Sequence, residues 1–126
     1  MVSVEPGALT VEEFFADAPL GAQVYDALVG VVDDLGPATV RVSKSQVAFR
    51  RRTGFCWVWQ PGMYLRNPGA EVVVSLALDH EEASSRWKQV TQVSGRRWMH
   101  HLEVRSLDDI DDDLAAWTAA AYALAT

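Results

Sequence analysis

At Gly36-Pro37 the spacing of apolar residues changes from that of a helix to that of a strand. Before this point Leu20, Val24, Leu28, Val31 and Leu35 recur every three or four residues, the stripe of a helix packed along one side. Thr10 with Glu13 three residues later has the form of a capping box, and Pro19 interrupts and restarts the helical segment. Gly36 suits a helix end and Pro37 cannot continue the helix. From there to Arg105 the pattern alternates, predicting strands near 38–43, 45–52, 55–60, 71–79 and 97–105. Residues 62–69, with Pro61 and Pro68, read as a loop. A second irregular stretch over 80–95 has room for a helical turn or a short edge strand around 87–93. After Ser106 the helical period returns with Ile110, Leu114, Trp117, Ala121 and Leu124, and Asp108 and Asp109 fall in a first turn where the helix dipole favours negative charge. Consecutive strands this close cannot be parallel, because parallel crossovers need a dozen or more residues. The expectation is an α+β two-layer sandwich: an antiparallel meander of about five strands, with N-terminal and C-terminal helices packed on one face. Residues 1–126 form a single domain in this reading, with 1–9 flexible.

The 126 residues are 49% hydrophobic and 22% charged, a globular balance that argues against disorder and low-complexity assembly. No apolar run approaches the roughly 20 residues that span a bilayer. The opening Met1-Val2-Ser3-Val4-Glu5-Pro6 lacks the basic and apolar regions of a signal peptide. Cys56 is the only cysteine, so no internal disulfide can form, and the expected compartment is the cytoplasm.

Charge is sharply segregated. Residues 1–36 carry seven acids and 106–126 carry five, with no Lys or Arg in either segment. All eleven basic residues lie between Arg41 and Arg105 against five acids, so the middle is +6 and the ends together −12. The acidic total of −6 argues against bulk, non-specific DNA binding, which needs a net positive field over the contact. Two arrangements remain: bases of the sheet pair with acids of the helices, or they form a local basic face.

The hairpin from Gln46 to Trp59 carries the most unusual face. With Thr53-Gly54 as a two-residue turn, Arg52 opposes Phe55, Arg50 opposes Trp57 and Ala48 opposes Trp59. Side chains alternate along a strand, so Arg50, Arg52, Phe55, Trp57 and Trp59 share one side, and Val47, Phe49, Cys56 and Val58 the other. The second set suits burial beneath the helices, joined by Val40, Val42, Val72, Val74, Leu76, Leu78, Leu102 and Val104. The first set then faces away from the helices with Arg41, Ser43, Ser75, Ala77, Met99, His101, Glu103 and Arg105. Three arrangements would remove this face: residues 80–97 folding over it with Trp87 and Trp98, burial in a homodimer, or a register one residue different, which exchanges the two sides.

Other motifs carry less. His100 and His101 are adjacent, so on a strand they point to opposite sides and cannot share a metal; His80 has no carboxylate at ligand spacing. The 108–113 aspartates lack the alternating ligands and mid-loop glycine of a calcium loop. No metal or cofactor is expected. Cys56 on the core face has the raised pKa of an inert thiol. Ser43-Lys44-Ser45 lacks the glycines of a phosphate loop and reads as a bend between strands, and Gly95-Arg96-Arg97 reads as a turn with solvated cations.

Several stretches together resemble an uncharacterised bacterial family, the domain of unknown function 5655. They are Thr10-Val11-Glu12-Glu13-Phe14-Phe15, Val40 through Phe49, Phe55-Cys56-Trp57-Val58-Trp59, Trp98 through Val104, and Asp108 through Tyr122. The likeness spans nearly the whole chain and rests on patterned hydrophobics and turns. It implies no activity. Related domains fused to nuclease-like or transport proteins imply an accessory binding role.

The functional expectation is a non-catalytic binding module. Arg41, Arg50, Arg52, Trp57, Trp59 and His101 would hold a small anionic or aromatic ligand, or an acidic protein segment, in a monomer or homodimer. One alternative is a single-stranded nucleic-acid binder stacking bases on Trp57, Trp59 and Phe55 while Arg50 to Arg52 and Arg96-Arg97 follow phosphates. Another is an enzyme with His101 and Glu103 as an acid–base pair, two apart on one strand.

Overall fold

The computed structural model describes residues 1–126. In chain order the elements are β1 (Val2–Val4), α1 (Val11–Phe14), α2 (Pro19–Leu35), β2 (Ala38–Val42), β3 (Val47–Arg50), β4 (Gly54–Trp59), β5 (Val72–Leu78), β6 (Gln89–Ser94), β7 (Arg97–Val104) and α3 (Asp112–Leu124). Single 3₁₀ turns occupy Pro61–Met63 and Leu107–Asp109. The strands form one sheet in the order β1-β2-β3-β4-β5-β7-β6. From β2 to β5 the chain is an antiparallel meander, and β7 inserts between β5 and β6. No helix is long and apolar enough to cross a membrane.

The α+β, two-layer architecture stands, but the sheet has seven strands and is mixed rather than five-stranded and antiparallel. The two additional strands are β1 and β6. β1 runs parallel to β2, with Val2 beside Ala38, and the intervening α1 and α2 supply the long crossover such pairing requires. Residues 2–4 of the supposedly flexible N-terminal segment are therefore part of the sheet, and Val2 N–H also donates to Asp33 Oδ1 at 2.6 Å. β6 is an outer strand, exposed along most of its length. With no buried side it needs no apolar alternation, which is why its sequence pattern is faint.

Local chemistry sets the helix ends. Thr10 Oγ1 accepts from Glu13 N–H at 3.0 Å while Glu13 Oε1 accepts from Thr10 N–H at 2.8 Å, the reciprocal capping box. Pro19 begins α2, where its missing N–H costs nothing. The buried stripe of α2 is centred on Val24, Leu28 and Val32, with Val31 at its margin. The C-terminal segment is two elements rather than one helix. Ser106 caps the 3₁₀ turn and Asp111 caps α3, accepting from Leu114 N–H at 3.1 Å. Leu124 is exposed, and Thr118, Tyr122 and Ala125 take the buried positions beside Leu114 and Ala121.

The strand valines and leucines expected beneath the helices, with Phe49 and Cys56, are each at most 2% exposed. Each such aliphatic side chain contributes about 1.5–3 kcal/mol of transfer free energy. Tyr25 of α2 packs on Phe49 at 5.7 Å, and Tyr122 of α3 meets Phe55 edge-to-face at 5.4 Å. Both long helices thus cover one side of the sheet and leave the other open.

Gly36 ties the two helices together. Its φ of 144° is a conformation open to glycine, and a side chain there would run into the Tyr122 hydroxyl, which donates to Pro37 C=O at 2.9 Å. Gly30, inside α2, faces open space. Gly36→Ala should destabilise the protein by about 1–3 kcal/mol, whereas Gly30→Ala should stabilise it by about 0.5–1 kcal/mol. Urea unfolding of the two variants checks both signs.

Candidate functional site

The hairpin that carries the tryptophans pairs two residues away from the simple two-residue-turn register. Val47 faces Val58, Ala48 faces Trp57 and Phe49 faces Cys56, and after a bulge Arg50 faces Gly54. Arg50 is therefore not opposite Trp57, nor Ala48 opposite Trp59. An even displacement preserves the sides, so Arg50, Trp57 and Trp59 remain on the open face. The bulge makes Phe55 the extra residue of β4. Phe55 turns into the core between Phe49 and Tyr122 and is fully buried, which removes it from the open face.

Arg52 also leaves the strand. Residues 51–53 form a loop docked on the C-terminal end of α3, where Arg52 and Thr53 N–H both donate to Ala125 C=O at 3.0 and 3.4 Å. Arg51 Nη1 donates to Tyr122 C=O at 2.9 Å and its guanidinium lies 4.0 Å above the Tyr122 ring. These donors satisfy the Ala125 carbonyl and add a second, charged donor to that of Tyr122, at the negative pole of the helix dipole.

Across the open face one register row runs Arg41, Ala48, Trp57, Ser75, His101, Gln89. Arg41 and His101 are four strands apart, about 19 Å at normal strand spacing. Arg41, Arg50, Arg52, Trp57, Trp59 and His101 consequently do not converge on one small ligand. Trp57 rests on Gly54, where a Cβ would meet the indole at 2.7 Å, and Arg97 lies 5.7 Å over its ring. Trp59 and His101 do come together. Of the eleven bases, only Arg86 with Asp111 and Arg105 with Glu103 form side-chain ion pairs. Wholesale pairing of sheet bases with helix acids is not how the charge is arranged. Nor do residues 80–87 cover the open face: Trp87 packs against Trp117 of α3 at 4.5 Å and edge-on to His100 at 4.9 Å, on the helix side.

The Trp59–His101 cluster is organised by Ser75, the one polar residue in the valine- and leucine-rich strand β5. Trp59 Nε1–H donates to Ser75 Oγ at 2.8 Å, and Ser75 Oγ lies 2.6 Å from His101 Nδ1. An indole N–H can only donate, so Ser75 accepts there and has its own proton free for Nδ1. That arrangement puts the His101 proton on Nε2, which has no partner within the chain. Burial, with a smaller contribution from His100, lowers the His101 pKa below the ordinary 6.5 and keeps the ring neutral. Ser75 itself is 2% exposed, so it positions the imidazole and is not placed as a nucleophile.

Beside this cluster lies a cavity of about 300 Å³. Trp59, Pro61, Leu65 and Val73 form its apolar walls, and Lys88, Gln89, His101 and Glu103 its polar ones. Glu103 is engaged by Arg105 at 3.0 Å, whereas the Lys88 ammonium has no carboxylate partner. Both members of the expected His101/Glu103 pair line this cavity. Lys88 and Leu65 escaped sequence reasoning; Ser75 was placed on the open face without a role, and its being the single serine within Val72–Leu78 was the signal that could have marked it. Cys56 is fully buried in the core and burial pushes its thiol pKa far up, leaving it inert.

The fold and its open-face cavity define a small α+β domain with a seven-stranded mixed sheet. The chain belongs to the family described as domain of unknown function (DUF5655), whose model matches residues 11–125. No curated protein and no solved structure matches it.

His100 holds the 80–88 segment in place. Its Nδ1–H donates to Trp98 C=O at 3.2 Å and its Nε2 accepts from Glu82 N–H at 3.0 Å. Burial foremost lowers its pKa from the ordinary 6.5. With both His100 and His101 depressed, the unfolded chain takes up protons before the folded one as pH falls below 6.5. Their stabilising contribution is full above that pH and is lost toward acid. His80, whose pKa is raised foremost by its hydrogen bond to Asp79, acts in the opposite sense. In a His80→Ala background the urea midpoint should therefore fall from about pH 7.5 to about pH 5.5, and His100→Gln should flatten the slope.

Proposed function

We propose that this domain binds a small aromatic acid on its open sheet face, in the cavity beside Trp59. The observation that carries the reading is that cavity: about 300 Å³, with an indole and aliphatic walls on one side and the unpaired Lys88 on the other. Its volume is at the lower end of the range of ligand pockets, which suits a one- or two-ring compound. Trp59 and Leu65 supply contact area for the ring. Lys88 supplies the cation for the carboxylate, and His101 Nε2–H adds a neutral donor whose orientation Ser75 sets. A charge-assisted hydrogen bond of this kind is about twice as strong as a neutral one.

Arg41, Arg50 and Arg97 add positive potential across the same face and favour anions over neutral analogues. Turnover is less well supported than holding. Ser75 and Cys56 are sealed from the cavity, and Glu103 is engaged with Arg105. A reducing compartment such as the cytoplasm suits a chain with a single thiol.

Indole-3-carboxylate, titrated while the indole N–H resonances are followed by NMR, should shift Trp59 saturably and leave Trp117 unmoved. Lys88→Ala should weaken binding about tenfold, and indole-3-carboxamide should bind the wild-type protein more weakly than the acid. Absence of a saturable Trp59 shift, or equal binding of acid and amide, would remove the proposal.

A further inference from the structure

The largest cavity in the molecule is not on the sheet face. It measures about 480 Å³ and lies at the acidic N-terminal end, between the segment 4–13 and the start of α2. Its outer wall is held firmly. Glu5 N–H donates to Val40 C=O at 2.8 Å and Ala8 N–H to Val42 C=O at 2.9 Å. Gly7 lies so close to the Val42 carbonyl that no side chain could be accommodated.

Tyr25 forms part of the opposite wall. Its ring is packed among Phe15 and Phe49 and the residue is only 7% exposed, yet its hydroxyl has no hydrogen-bond partner within the chain and borders the cavity. No buried side-chain polar atom in the molecule lacks a partner, so this hydroxyl is the part of the residue that reaches solvent, at the cavity wall, and is free to bind there. Around it stand Glu5, Glu12 and Asp26, none with a cation within 4.0 Å. Burial first, and then the charges of Asp26 and Glu12, raise the Tyr25 pKa, which places those carboxylates within electrostatic reach of the hydroxyl. Glu13 is occupied in the capping box.

We propose that this cavity binds a small organic polycation, an alkyl di- or polyamine, through Asp26, Glu12 and the Tyr25 hydroxyl, with Glu5 at its rim. Ammonium groups donate and every polar group here can accept. A metal ion is a poorer occupant. It needs several oxygen ligands drawn to within about 2.6 Å of one point, and no three acidic, histidine or cysteine side chains converge in that way. An alkylammonium instead bridges separated acceptors and fills volume with its methylenes, against Val4, Leu9 and Val11.

Spermidine and 1,4-diaminobutane, titrated by calorimetry at fixed ionic strength, test the site. The wild-type protein should bind spermidine saturably, and Glu12→Gln/Asp26→Asn should weaken it by about tenfold or more. Asp34→Asn/Asp108→Asn removes the same two charges from exposed positions outside the cavity and should leave affinity essentially unchanged. Tyr25→Phe, which keeps the packed ring, should weaken binding by a smaller factor. Equal weakening by the two double variants would reduce the effect to diffuse charge, and no saturable binding, or full affinity in Glu12→Gln/Asp26→Asn, would overturn the proposal. None of these outcomes depends on the cavity beside Trp59.

Discussion

The docking of the β3–β4 hairpin on the C-terminal end of α3 is the contact on which the arrangement of both faces rests. Arg51 caps and stacks on Tyr122, the backbone of Arg52 and Thr53 satisfies Ala125, and Phe55 bulges inward to meet the Tyr122 ring. Tyr122 in turn donates to Pro37, so the same side chain closes the seam between α3 and the end of α2. Had the hairpin used a two-residue turn, Phe55 would lie on the open face as a third exposed aromatic. The gain from burying a phenylalanine in an aromatic cluster outweighs one unpaired position in the ladder. What is left outside is two tryptophans in different settings: Trp57 against Gly54 and Arg97, Trp59 against Ser75 and His101.

Charge segregation along the chain becomes charge segregation in space. The helical ends keep their acids because few bases reach them; Arg86 with Asp111 is the one arginine–aspartate pair joining the strand region to α3. Exposed ion pairs of that kind contribute little to stability, so the separation costs the fold little. It leaves an electropositive sheet face and an acidic N-terminal end, each with its own cavity.

Much of the architecture was legible in the sequence. The capping box at Thr10, the stop at Gly36, the two-layer arrangement and, Phe55 apart, the core side of the expected strands follow from short-range chemistry and period. β1 and β6 were hard to read for opposite reasons. Three residues are too few to show alternation, and an exposed edge strand has no buried side to impose it. The C-terminal segment was read as one helix because Ser106 and Asp111 are both competent caps, and the pattern cannot say that each is used.

The candidate site was legible only in part. Trp59 and His101 were named from the sheet face, but Lys88 comes from the stretch before β6 and Leu65 from the loop after β4, neither of which has a period to follow. Arg41 and Arg52 share the sign of the face without sharing its cavity. Composition and hydrophobic spacing by themselves determined most of the apolar core of the sheet and the ends of α1 and α2, because those depend on neighbours within a turn or a pleat. Register, the bulge at Phe55, the insertion of β7 between β5 and β6, and the meeting of Trp59, Ser75 and His101 were decided only by the tertiary structure. They depend on which distant surfaces fill each other's space, and a period of two is the same for every even register.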